Sequence, residues 1–166
     1  MADKGRTEGK QEPEQPGGYV LPDGQYLTAE QMEGKLKADV KSAKDPNGLE
    51  DAKYKLATFY MGEAEPLKAY PILKAIQDAT GDGDRKGKCG KWLELILGKR
   101  KKPPTVRAKK EYVAMMIRIG MGYAYGGSEI AAQCYLEKAI AFTDSPQTKA
   151  HCWLELGKMR DIIFAW

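Results

Sequence analysis

From residue 49 onward, large apolar side chains recur at the three- and four-residue spacing of a buried helix face. Leu49, Ala52, Leu56 and Tyr60 form the first stripe, and Gly62 is the expected stop. Pro66 suits the first position of a second helix, whose inner face carries Ala69, Ile72, Leu73 and Ile76, with a bend expected at Pro71. GDGD at 81–84 reads as a loop, and a third helix bearing Trp92, Leu95 and Ile96 follows until KRKKPP breaks it. The order then replays. Tyr112, Met116, Ile119 and Tyr123 form a stripe, GG at 126–127 turns the chain, and Ala132, Leu136 and Ala139 line the next helix. DSP at 144–146 comes before Trp153, Leu156 and Gly157. Upstream, Thr28 and Gln31 have capping-box spacing at the start of a lysine-rich helix with a thin apolar face, ended by DPNG at 45–48. Residues 1–24 are rich in Gly, Pro, Glu, Gln and Lys without apolar periodicity, which predicts a disordered tail before a single helical domain over 25–166.

The replay predicts a duplicated three-helix unit. Leu56, Ala57 and Tyr60 match Ile119, Gly120 and Tyr123 at an offset of 63. Lys74-Ala75-Ile76 matches Lys138-Ala139-Ile140 at 64, and WLEL at Trp92 matches WLEL at Trp153 at 61. Similar offsets with small loop insertions are what an internal duplication leaves, with unit one at 49–102 and unit two at 105–163, and WLEL is expected to pack alike in both.

These columns resemble the tetratricopeptide repeat. In a frame starting at Val113, Ile119, Gly120, Tyr123, Ala132, Leu136 and Ala139 fall on its alternating large and small positions. A frame from Glu50 places Leu56, Ala57, Tyr60, Ala69 and Leu73 on the same columns and departs at Gln77, where a small residue is expected. Ala52, Leu56, Ala57, Tyr60 and Gly62 also resemble the opening of the related Sel1-like repeat. The resemblance implies an all-α helical repeat, a TPR/Sel1-like α-solenoid of about seven helices. It also implies a partner-binding groove on first-helix positions, here Tyr54, Thr58, Met61, Ile117, Met121 and Tyr125. The Lys/Asn clamp that some members use for a peptide carboxylate has no counterpart, because Asn47 is the only Asn and falls in a loop. An apolar or aromatic ligand is therefore expected.

Charge adds a second candidate surface. Net charge is only +4, but residues 85–118 hold 12 basic and 2 acidic side chains, +10, against −6 for the rest. Lys99, Arg100, Lys101, Lys102, Arg107, Lys109 and Lys110 form a basic patch suited to nucleic acid, an anionic surface or an acidic protein, although the run contains no aromatic for base stacking. Its plainer role is a solvated loop.

Catalytic and metal chemistry find little support. Cys89, Cys134 and Cys152 lack CxxC spacing and read as free thiols, which points to a reducing, cytoplasmic location. His151 and Cys152 are adjacent, so on a helix they diverge by roughly 100°. The expected reading is a surface His beside small core Cys residues rather than a metal ligand set. Cys89 lies between Lys88 and Lys91, a setting able to lower a thiol pKa, although simple accessibility is the commoner reading. A calcium loop starting at Asp82 fails because Lys86 occupies an oxygen-ligand position. GMGYAYGG at 120–127 departs from GxGxxG and follows no expected strand. No apolar run approaches the roughly 20 residues of a membrane span, and the N-terminus carries no apolar secretory signal. DIIFAW, with Ile162, Ile163, Phe164 and Trp166, is expected to cap the last helix or to dock another subunit. No cofactor and no catalysis are expected. The expected function is a protein–protein interaction scaffold, an adaptor, assembly factor, chaperone or complex subunit; the alternative is a nucleic-acid-associated protein contacting phosphates through 99–110.

Overall fold

Short-range capping signals in the sequence set the helix ends, and apolar stripes set their order of packing. The structure, a computed structural model, describes residues 18–164, with side chains through Met159. Residues 1–17 of the expected tail, Trp166 and the side chains of Ile162, Ile163 and Phe164 lie outside the described residues. The fold is all-α apart from one short hairpin. Its helices are α1 (Ala29–Ser42), α2 (Pro46–Gly62), α3 (Pro66–Ala79), α4 (Gly83–Leu97), α5 (Lys109–Tyr125), α6 (Glu129–Phe142) and α7 (Pro146–Phe164). Each packs on the next along the chain, from α1 on α2 to α6 on α7.

The capping box is present at α1: Gln31 donates its backbone N–H to Thr28 Oγ1 at 3.2 Å, and Thr28 donates its own to Gln31 Oε1 at 3.0 Å. Only Leu36 of α1 is fully buried, so this helix lies lightly on α2, where Tyr60 donates its hydroxyl to Glu33 at 2.9 Å. Pro66 opens α3 as expected, and α3 runs through the exposed Pro71 without a break.

Residues 18–24 correct the expected tail boundary. Tyr19–Val20 (β1) pairs antiparallel with Tyr26–Leu27 (β2), in register Tyr19 with Leu27. Leu-Pro-Asp-Gly makes the turn: Gly24 adopts φ +85°, and Asp23 accepts the Gln25 N–H at 2.9 Å. Tyr19 then anchors the hairpin, its ring 5.4 Å from Phe59 and its hydroxyl donating to Glu63. Two-residue strands are too short for periodicity to reveal.

The two three-helix segments α2–α4 and α5–α7 share one register. α2 and α5 each have 17 residues, α3 and α6 each have 14, and the starts of α5, α6 and α7 follow those of α2, α3 and α4 by 63 positions every time. Their turns agree in detail. Ala64 and Gly127 both take positive φ, +56° and +83°, and the next N–H, from Glu65 or Ser128, donates to Tyr60 or Tyr123 at 2.9 Å. Thr80 and Thr143 each accept the N–H two residues on, both at 3.2 Å, at the entrance to the third helix.

The constant offset corrects two expected correspondences. At 63, Cys89, Leu93 and Ile96 correspond to Cys152, Leu156 and Met159, and all six are buried. The WLEL match instead sets Leu93, 5% exposed, against Leu154, 58% exposed. A slip of two residues turns a helix by roughly 200°, so identical letters face opposite ways. The Lys-Ala-Ile match slips by one: Ile76 corresponds to buried Ala139, not to Ile140.

One core joins the segments. Trp92, Tyr123 and Tyr135 form an aromatic chain from α4 through α5 to α6, with centroids 5.4 and 5.6 Å apart. Tyr135 donates its hydroxyl to the Met61 carbonyl of α2, and Lys138 donates to the Ala64 carbonyl at 2.7 Å. Between α4 and α5, Arg118 closes the C-terminus of α4, donating from Nε to Leu95 O at 2.6 Å and from Nη2 to Ile96 O at 3.0 Å. Gly98 is required beside it: its φ is +58°, and a Cβ there would come 2.8 Å from the guanidinium. Arg118→Met should cost about 2–3 kcal/mol, because it removes charge-assisted bonds to helix-end carbonyls. Thermal melting would check this, and an unchanged midpoint would show that water replaces the guanidinium without loss.

Candidate functional site

The six expected groove positions do not form one surface. Met61 is fully buried in the core, because α2 ends under the Tyr135 side of α6; its assignment to a groove is corrected. Tyr54 is half-buried beneath Arg85 of α4, whose guanidinium lies 4.4 Å from the ring centroid. Thr58 turns its hydroxyl onto the Lys55 carbonyl of its own helix at 3.0 Å. Met121 is half-buried against the core, and Tyr125 ends α5 at 87% exposure. Ile117 is the one of the six that lines a groove of about 580 Å³.

That groove lies between the N-terminal half of α5 and the α6–α7 corner. Val113, Ala114 and Ile117 form an aliphatic floor, and Thr143, Ser145 and Thr148 form the facing wall. Lys109 and Lys110 stand on the α5 lip and Asp144 on the other. Lys109 pairs with Asp144 at 2.8 Å, and this bond holds the Asp144 carboxyl below the usual range. No carboxylate pairs with Lys110 among the described residues.

The same place in the first segment is partly filled: a smaller groove of about 250 Å³ remains beside Pro46, Glu50 and Thr80, the counterparts of 109, 113 and 143, while Asp51, Tyr54 and Arg85 do not line it. Position 148 corresponds to Arg85, whose Nη2 pairs with Asp51 at 2.7 Å while its guanidinium covers Tyr54. Desolvation opposes the charge on Arg85, but the Asp51 hydrogen bond and the charges of Asp51 and Glu50 outweigh it, so its pKa is raised. Positions 50, 51 and 54 correspond to 113, 114 and 117. Glu, Asp and Tyr under an arginine are thus replaced by Val, Ala and Ile under a threonine. Sequence reasoning missed this plug because Arg85 looked like one more charge in a basic stretch. The cue was Arg85 lying three residues after the Asp82 cap, which aims its side chain back toward α2.

No family model, curated protein or solved structure matches the chain.

The basic patch is exposed throughout. Lys99, Arg100, Lys101, Lys102 and Arg107 occupy the link between α4 and α5, pinned by buried Pro104, and Arg100 Nε donates to the Lys102 carbonyl at 3.4 Å. Lys109 and Lys110 are the first two residues of α5, where the helix dipole disfavours cations. Cys89 departs from both readings, the accessible thiol and the activated one. It lies mid-helix and fully buried, and burial pushes the thiol pKa up despite the opposing pull of Arg85. His151 is exposed and Cys152 is buried. Among the described residues no three His, Cys, Asp or Glu side chains gather to hold a metal, and no helix is long and apolar enough to cross a membrane.

Proposed function

We propose that the chain is a non-catalytic helical-repeat scaffold of the tetratricopeptide or Sel1-like kind, which holds a partner protein in a groove along α5. The observation that carries this reading is the spacing of small residues in the paired helices. α2–α3 spans 46–79 and α5–α6 spans 109–142, and Ala57 with Ala69, and Gly120 with Ala132, sit fully or nearly fully buried at the same two positions of each pair. Small residues there bring helices close and leave the outer face of the first helix to a ligand. The α5 face keeps an open groove of about 580 Å³.

Five exposed basic residues between α4 and α5 have no carboxylate partner among the described residues, and they favour a second reading in which the loop contacts nucleic acid. Capture from native lysate at low and high salt separates the two. The scaffold reading expects a discrete protein retained at high salt by the native chain and reduced about tenfold or more by the surface variant Ala114→Arg/Tyr125→Asp. Nucleic acid that is lost steeply as salt rises, with no protein sensitive to that variant, would transfer the function to the loop.

A further inference from the structure

We infer that the α5 groove takes an acidic peptide segment, seating one aliphatic or aromatic side chain on the floor and placing a flanking carboxylate at Lys110. The inference rests on the scaffold reading and names the chemistry of its partner.

Internal comparison supplies the first argument. The first segment shows how the chain narrows this position itself, to about 250 Å³ beside Pro46, Glu50 and Thr80: Arg85 reaches back from the first turn of α4, its charge met by Asp51 and its guanidinium face by Tyr54. In the second segment each part of that plug has changed in the same direction. Thr148 is too short to cross the gap, Ala114 and Val113 remove the two carboxylates, and Ile117 replaces the ring with a smaller aliphatic surface. An entering arginine or lysine would lose water and find no anion on the floor, a strongly unfavourable exchange. An entering Leu, Ile or Phe would cover Val113, Ala114 and Ile117 and gain from the burial of its own side chain.

The lips supply the second argument. Asp144, the acidic residue lining the groove, is already neutralised by Lys109 at 2.8 Å. Lys110 stands beside it without a carboxylate partner among the described residues, and Arg107 and the Lys99–Lys102 run precede it in the chain. The charges that line the opening, Lys109, Lys110 and Asp144, therefore leave one unpaired positive charge there among the described residues, at Lys110. Carboxylates next to the anchoring side chain meet it favourably, whereas a basic peptide is repelled. A nucleic acid would satisfy the lysines but not the floor, which offers no aromatic ring for a base.

The test uses immobilised short peptides with blocked ends, each holding one Leu or Phe among Asp and Glu residues. Matched sets replace the acids by Lys or by Ser, and a single-stranded oligonucleotide serves as competitor. The full chain should be retained about tenfold better by the acidic set than by the basic set, with the serine set between. Thr148→Arg/Ala114→Asp/Ile117→Tyr transplants the first segment's plug into the groove. It should abolish retention with the melting temperature held or raised, and Lys110→Glu should weaken it at low salt. Equal retention of acidic and basic sets, full retention by the plugged variant, or displacement by the oligonucleotide alone would each overturn the inference. Should the plugged variant not fold, Lys110→Glu decides, and unchanged acidic-set retention sinks the idea. Failure here stays distinguishable from failure of the scaffold. A lysate protein lost from Ala114→Arg/Tyr125→Asp while no acidic peptide is retained leaves the scaffold standing and removes only this partner chemistry.

Discussion

Tyr135→Ala should destabilise the fold by about 3–5 kcal/mol, the cost of emptying a large aromatic site in a closed core. At roughly 2–4 °C per kcal/mol for a chain of this size, the melting midpoint should fall by about 10 °C. The ring is fully buried, stacks on Tyr123 at 5.6 Å, and carries the hydroxyl that reaches the end of α2. It thus touches both three-helix segments, and its loss loosens the joint between them as well as α6. Tyr135→Phe separates packing from hydrogen bonding. The Met61 carbonyl also accepts the Ala64 N–H at 3.3 Å, so it is not orphaned, and the phenylalanine variant should lose only about 1 kcal/mol. Denaturant titration of both variants checks this; equal losses would mean that the hydroxyl, not the ring, holds the joint.

The second large effect is expected at Gly120→Leu. A Cβ at Gly120 would lie 3.0 Å from Tyr135 Cβ and 3.4 Å from Leu136 Cγ, with the Ala132 carbonyl oxygen at 3.5 Å. The first new atom already presses on α6, and three more carbons have nowhere to go unless α5 and α6 separate. Overpacking of this kind costs about 3 kcal/mol. Gly157 is the control. It is also in a helix, but nothing lies within 4 Å of its Cβ position, so Gly157→Ala should stabilise by up to about 1 kcal/mol through helix propensity. Chemical denaturation of the two variants should give shifts of opposite sign. A tolerated Gly120→Leu would mean that the α5–α6 approach is not set by this glycine.

Helix existence was readable because it depends on local rules. Thr28 with Gln31, Gly62, Pro66 and the stripes at Leu56, Leu73, Ile119 and Leu136 each act within a few residues of their position. Register was harder. WLEL offered four identical letters at the wrong rotation, while the true correspondence, Cys89-Leu93-Ile96 with Cys152-Leu156-Met159, shares only a cysteine and a leucine. Burial, not identity, ties those positions together. The groove was legible at one position of six: the helix frame reaches Ile117, but Met61 lies in the core because α6 crosses the end of α2. The plug at Arg85 depends on a contact across 34 positions, which no local pattern encodes.

The succession of neighbouring helices has a kinetic consequence. Contacts that are mostly close along the chain let structure start in either segment and spread, so the chain should fold quickly. Among the described residues α1 packs mainly on α2 and α7 mainly on α6, and these two ends are the places where opening begins. Tyr135 to Met61 and Lys138 to Ala64, each spanning 74 positions, work against piecemeal opening. They make the loss of one segment expensive for the other, and so turn a row of helices into one cooperative unit.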